Sequence, residues 1–224
     1  MSISWGPPPV RETVSTAAYR RLKDALLSGQ LEMGARINEV EIASAWGVSR
    51  TPIRDALRRL EAEGLVRANP RRGVVVPLVS LGEMEDLYEI RELLEGRAAR
   101  RAALRATRTD DDRLNALIRR FSAVVKTGDL GAALEIDLGI HAGIAEASAA
   151  PQIQKAIEAV GGQIHVVRAR GLLARGRAAK SLREMAKLVA SIRARDAVRA
   201  ERAMHEHIAS LRADLADTFQ MLHR

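Results

Sequence analysis

The stretch G-V-S-R-T-P-I-R-D-A-L-R-R-L-E-A-E-G, Gly47 to Gly64, decides the fold of the first third of this chain. Pro52 suits the opening turn of a helix, where its missing N–H costs nothing. Thr51 before it is placed to cap the free amides, and Gly64 supplies a left-handed stop. Ile53, Ala56, Leu57 and Leu60 follow the spacing i, i+3, i+4, i+7, which makes one inward apolar face. Arg50 and Arg54 then fall at the leading end, with Arg58 and Arg59 following, so the outward surface is cationic. Upstream, Ile37 to Trp46 reads as a short helix and Gly47-Val48-Ser49 as a tight turn. The pattern is a helix-turn-helix, whose second helix lies in a major groove of DNA.

Working outward, Leu65–Ala68 and Gly73–Pro77 read as two short strands joined by Asn69-Pro70-Arg71-Arg72, a hairpin placed as a wing directly behind the recognition helix. Arg71, Arg72 and Gly73 at its tip suit a narrow groove, where cations and a small residue can approach phosphates closely. The chain carries a net charge of +8, which points to a polyanionic partner. Its location is more telling: from Arg50 to Arg72 seven arginines face three acids, whereas the rest of residues 1–77 holds five basic and five acidic residues. The surplus sits on the motif.

With 224 residues and 47% hydrophobic content the chain can bury two cores. No cysteine occurs, which excludes disulfides and thiolate metal sites. No apolar run reaches the ~18 residues of a membrane span. Residues 1–10, with Trp5 and Pro7-Pro8-Pro9, lack the apolar core of a signal peptide and read as a loose arm, so a cytoplasmic protein is expected. The expected organisation is an arm over 1–10, a winged helix-turn-helix over 11–77, a joint over 78–82 and an all-α domain over 83–224, a mainly α chain. In that last part Ala, Leu, Arg and Glu recur at helical spacing. Ser80-Leu81-Gly82-Glu83 and Ser181-Leu182-Arg183-Glu184 have the form of capping boxes. Thr109 precedes Asp110, Gly128 breaks the pattern, and Pro151 and Asp196 open further segments. These signals predict six helices, near 81–106, 110–126, 129–148, 151–174, 182–193 and 196–222.

The third of those helices has an apolar stripe, Leu130, Leu134, Leu138, Ile144 and Ala145, from whose middle Asp137 and His141 project. A carboxylate and an imidazole facing inward need partners. A metal ion would serve, and so would an Asp–His hydrogen bond or one to a neighbouring helix. Arg91 stands on the inner stripe of the first helix with Met84, Leu87, Tyr88, Leu94 and Ala98. Either it pairs with Glu95 one turn on, or it grips an acidic ligand bidentately.

The run from Tyr19 to Val66 resembles the winged helix-turn-helix of GntR-type bacterial transcription regulators. That resemblance implies contacts from Arg50, Thr51 and Arg54 in the major groove and from Gly73 in the minor groove. Arg58, Arg59, Arg71 and Arg72 suit phosphates. Leu81 to Arg224 is similar to the FCD effector domain of the FadR branch, in its shorter VanR-type version with six helices. L-Y-E-I-R-E-L-L-E-G-R-A-A, Leu87 to Ala99, matches its opening helix, and D-L-G-I-H, Asp137 to His141, its Asp-x-x-x-His pair. The resemblance implies a divalent metal, zinc foremost, on Asp137, His141 and His207, the last within A-M-H-E-H-I. It departs at Glu184-Met185, where the family has Glu-His. A thioether suits zinc poorly, and the three remaining ligands leave an open position. Helical geometry alone does not choose between His205 and His207. His165 reads as a pocket or core histidine. The implied effector, met by Arg91, His141 and His165, is a small organic or sugar acid.

The implied function is a homodimeric, effector-responsive regulator, most often a repressor, reading an inverted-repeat operator, with the response passed through the 78–82 joint. Two other classes fit parts of the chain: an architectural DNA-binding dimer without effector, and an all-α metal hydrolase. Against the hydrolase, no H-E-x-x-H occurs, since Ala209 follows His205 at the second histidine position, and no phosphate-binding glycine loop is present.

Overall fold

The computed structural model describes residues 13–27, 30–31, 33–70, 72–173 and 176–222, with the side chains at 27, 162–163, 165–173 and 216–222 outside the description. The arm over 1–10, Arg71 and the His165 side chain therefore lie outside the described residues. Two compact units result, the division falling between Pro77 and Leu78.

In the first unit, α1 (Val14–Leu27), α2 (Glu39–Trp46) and α3 (Arg50–Ala62) accompany a small sheet of β1 (Arg36–Ile37), β2 (Arg67–Asn69) and β3 (Gly73–Val75). The face foreseen on α3 forms the core: Ile53, Ala56 and Leu60 have no exposed surface and Leu57 is buried beside them. Helix α2 begins two residues later than its sequence implies, because Ile37 belongs to β1 and the Asn38 side chain accepts the Val40 amide as its cap. Gly47 ends α2 at φ 63°, a left-handed turn open to glycine and closed to most residues, and this turn delivers the chain to α3. Thr51 does not cap α3. Ser49 occupies the cap position, so Thr51 and Pro52 both sit in the first turn, where amides have no intrahelical partner in any case. Gly64, at φ +71°, follows the helix as foreseen.

The wing is shorter than its apolar runs. Leu65 and Val66 are buried ahead of β2, and Val76 after β3. The unforeseen β1 pairs antiparallel with β3, Arg36 opposite Val75, giving the order β1-β3-β2. Two residues are too few to show an alternating pattern in sequence.

The second unit is helical: α4 (Leu81–Arg105), α5 (Arg108–Thr127), α6 (Leu130–Ala147), α7 (Pro151–Leu173), α8 (Arg177–Arg193) and α9 (Ala197–Leu222). Ser80 and Glu83 form the reciprocal capping box at α4, so the last residues of the 78–82 segment already belong to that helix. Two caps differ from expectation. Thr107, not Thr109, caps α5, because the reciprocal bonds with Asp110 run across that spacing. Helix α8 starts at Arg177, which leaves Ser181 inside the helix, not at its cap. On α6 the buried face comprises Leu134, Ile136, Asp137, Ile140, His141 and Ile144, whereas Leu130 is exposed.

Candidate nucleic-acid interface and candidate metal and effector centre

Along the outer side of α3, Arg50, Thr51, Arg54 and Arg58 are exposed. Arg50, Arg54 and Arg58 border a cleft of about 410 Å³ that is also lined by Arg36, Glu39 and, from the wing, Gly73 and Val74. Gly73 holds φ +75°, a backbone state that a side chain would strain, and a Cβ there would meet open space. Its glycine thus serves the bend of the wing tip. Asn69 accepts the Arg72 amide to close that tip (3.0 Å). The Arg59 guanidinium lies over the Tyr19 ring at 4.0 Å, which ties α1 to α3.

Sequence reading missed Glu39. At the first position of α2 it accepts hydrogen bonds from Arg54 Nε (3.1 Å) and Nη2 (2.9 Å) and from Arg50 Nη2. The bonds from Arg54 and then Arg50 hold its carboxyl at about 2, far below the ordinary range. Arg36, exposed on β1, was missed as well, since nothing in its local sequence places it beside α3.

In the second unit Asp137, His141 and His207 converge, each offering a ligand atom within 4.8 Å of the others, and all three are buried. The carboxylate of Glu95 lies against His141 Nδ1, and Glu184 Oε2 lies 2.7 Å from His207 Nδ1. Those carboxylates place the proton on each Nδ1 and leave the two Nε2 atoms face to face at 3.3 Å. Two imidazole lone pairs so arranged call for a cation between them, a proton or a metal. Zinc–nitrogen bonds of about 2.0–2.1 Å in a tetrahedron put two nitrogens about 3.4 Å apart, so the donors fit a divalent ion. Asp137 Oδ1 accepts a hydrogen bond from Ser181 Oγ at 2.8 Å, which fixes that carboxylate within the cluster. Burial raises the Glu184 carboxyl, but hydrogen bonds from His207, Arg177 and Ser210 outweigh it and hold the group at about 2.

Helical geometry left His205 and His207 undecided; packing separates them. His207 joins the cluster, whereas the His205 ring covers Gly96 of α4, with Nε2 2.0 Å from where a Cβ would stand. Met185 is fully buried at the expected place of a fourth ligand. It lies one turn after Ser181, on the same side of α8.

Arg91 makes the pairing with Glu95 that its spacing allowed. Its Nε donates to Glu95 Oε1 at 2.8 Å, the intrahelical pair, and its Cζ lies 4.8 Å from the Tyr88 ring centre. Yet the side chain has no exposed surface, and neither Nη1 nor Nη2 has a hydrogen-bond partner among the described residues. Glu95 joins Arg91 to His141, so the guanidinium and the histidine pair belong to one polar cluster. Sequence placed Glu95 beside Arg91 but could not show that it also reaches α6.

Comparison with known proteins agrees with this architecture. Residues 14–76 match the family described as bacterial regulatory proteins of the gntR family, and residues 86–210 match the FCD domain. An HTH-type transcriptional regulator from the TAR-I ttuE-ttuC' intergenic region of Agrobacterium vitis is 38% identical over 89 residues, 40% of this chain and 52% of that protein. The chain thus spans about half the length of this relative. The HTH-type transcriptional repressor RspR of Escherichia coli K12 is 24% identical over 197 residues, 88% of this chain and 86% of its own. Among solved structures, E. coli McbR/YncC superposes with a TM-score of 0.76 at 24% identity, covering 93% of this chain and 100% of that one, a likeness of fold.

A winged helix-turn-helix with an all-α companion unit is the architecture of the DNA-binding transcription regulators that the two family matches describe. The chain belongs to the gntR family and carries an FCD effector domain. Among the described residues no helix is long and apolar enough to cross a membrane.

Proposed function

We propose that the chain is a homodimeric repressor of a metabolic operon that releases an inverted-repeat operator when a small organic or sugar acid enters the helical unit. In this reading Arg50, Thr51 and Arg54 read bases, Arg58, Arg71 and Arg72 hold phosphates, and Gly73 admits the wing to the minor groove. The direction of control is supported by the name of the relative RspR.

One observation carries the effector reading: a fully buried arginine whose two terminal nitrogens lack hydrogen-bond partners among the described residues, in the same cluster as Asp137, His141 and His207. Buried donors left unmade are costly, and a carboxylate would accept both at once. Zinc is the divalent ion that the two imidazoles and one carboxylate best suit, and it would supply Lewis-acid attraction for the ligand's oxygens. Asp137, His141 and His207 would hold the ion. Ser181, Glu95 and Glu184 would orient those ligands, and Arg91 would grip the acid, with His165 as a further candidate contact.

The test is calorimetry on the full chain with zinc, then with a panel of organic and sugar acids. Wild type is expected to take up one ion per chain and then one acid. His207→Ala is expected to lose the ion, and Arg91→Ala to keep the ion and lose the acid. Uptake of neither ion nor acid by wild type, with DNA binding intact, would favour the architectural dimer instead.

A further inference from the structure

Glu39 is the one carboxylate among the described residues seen bonded to both arginines at the leading end of α3. It grips Arg54 in a particular way: Oε2 takes the Nε hydrogen at 3.1 Å and Oε1 one Nη2 hydrogen at 2.9 Å, so the carboxylate lies along one edge of the guanidinium. An arginine has two such edges. The other, formed by Nη1 and the second Nη2 hydrogen, is left for an outside acceptor.

This is no chance meeting of long, wandering side chains. The Glu39 backbone is fixed at the first turn of α2 by the Asn38 cap, and its side chain is only 25% exposed. The two arginines are 54% and 49% exposed. They are one helical turn apart on α3, so a single carboxylate between them sets the plane of one fork and the reach of both. Exposed ion pairs contribute little to stability, which leaves orientation as the consequence of this one.

We infer that Glu39 is a positioning residue for sequence reading: it holds the Arg54 fork with its outer edge toward the DNA and tethers Arg50, so that both discriminate bases and do not settle on the nearest phosphate. The inference rests on the reading of α3 as the base-contacting helix. A free arginine gains phosphate contacts of any sequence, whereas a held one binds well only where a guanine presents O6 and N7 in register. The carboxylate also cancels one positive charge on that face, which lowers attraction to unrelated duplex.

The test uses the full chain and two probes: a duplex enriched by wild type from a random pool, and a shuffled duplex of the same composition. Affinity for each is measured across a range of salt. In Glu39→Gln the ratio of the two affinities is expected to fall about tenfold, the discrimination lost with one well-placed bidentate pair. The salt slope on the shuffled duplex should steepen by about one charge. Glu39→Asp keeps the charge but shortens the reach, so the ratio is expected to fall while the slope stays at the wild-type value. A residue that merely held the fold together would weaken both duplexes alike, and an unchanged ratio in Glu39→Gln overturns the inference. Arg54→Ala separates the two levels. If it collapses the ratio while Glu39→Gln leaves it intact, only the inference falls. If Arg54→Ala also keeps the wild-type ratio, or no duplex is enriched at all, the base-reading role of α3 fails and the inference with it.

Discussion

Met185 is the residue at which this FCD domain departs most from a complete set of nitrogen and oxygen ligands. It is fully buried on α8, one turn beyond Ser181, which bonds Asp137, and next to Glu184, which holds His207. Two residues just before it thus hold members of the Asp137–His141–His207 cluster, while its own soft thioether does not suit a borderline ion such as zinc. Replacing it with an imidazole would complete a four-coordinate set. Met185→His is expected to tighten zinc binding by about tenfold or more, as closed four-ligand sites hold their ion more firmly than three-ligand ones. Competition with a metallochromic chelator measures this directly. Equal affinity in both proteins would mean that residue 185 does not face the ion.

At the scale of elements, α4 and α9 are the most extensively packed pair in the helical unit, and their contact is shaped around one glycine. The His205 ring of α9 occupies the space that any side chain at position 96 would need, 2.0 Å from an ideal Cβ. Two effects of Gly96→Ala oppose each other: helix propensity favours alanine by about 1 kcal/mol, and overpacking costs about 1–3 kcal/mol. The balance predicts net destabilisation in wild type. With His205→Ala in the background the clash is gone, and the same alanine should stabilise by about 1 kcal/mol. Urea unfolding of the four proteins of this double-mutant cycle checks the change of sign. An equal effect in both backgrounds would dissociate the glycine from the ring above it.

For the whole molecule, the outer surface of α4 leaves large apolar side chains in water: Leu93 is 73% exposed and Leu104 64%. They are three helical turns apart on one side of the helix, with Ile90 beside them. Two-fold oligomers bury the same patch on each copy, and this is the apolar stripe that such a dimer would cover. Leu93→Glu combined with Leu104→Glu is therefore expected to yield a monomer in analytical ultracentrifugation. Its affinity for an inverted-repeat duplex should fall steeply, while affinity for a half-site changes little. A double variant that stays dimeric would assign the interface to another face.

The legible part of this protein was its periodic and locally punctuated part. The α3 stripe, the Gly64 stop, the Ser80 capping box and the Asp137–His141 pair one turn apart each depend on neighbours within a few residues, so their spacing alone determined where they stand. Caps were misplaced where two local patterns competed, as with Thr107 and Thr109. Ser181 has the form of a cap and sits inside a helix because Arg177, buried among Glu184, Ser210 and Asp214, extends α8 backward. That contact spans three dozen residues. Tertiary packing alone decided that Glu95 meets His141, that His207 and not His205 joins the cluster, that Arg59 stacks on Tyr19, and that Glu39 holds Arg50 and Arg54. Hydrogen bonds between distant residues depend on where helices cross, and crossing is a property of summed packing that no short window of sequence contains.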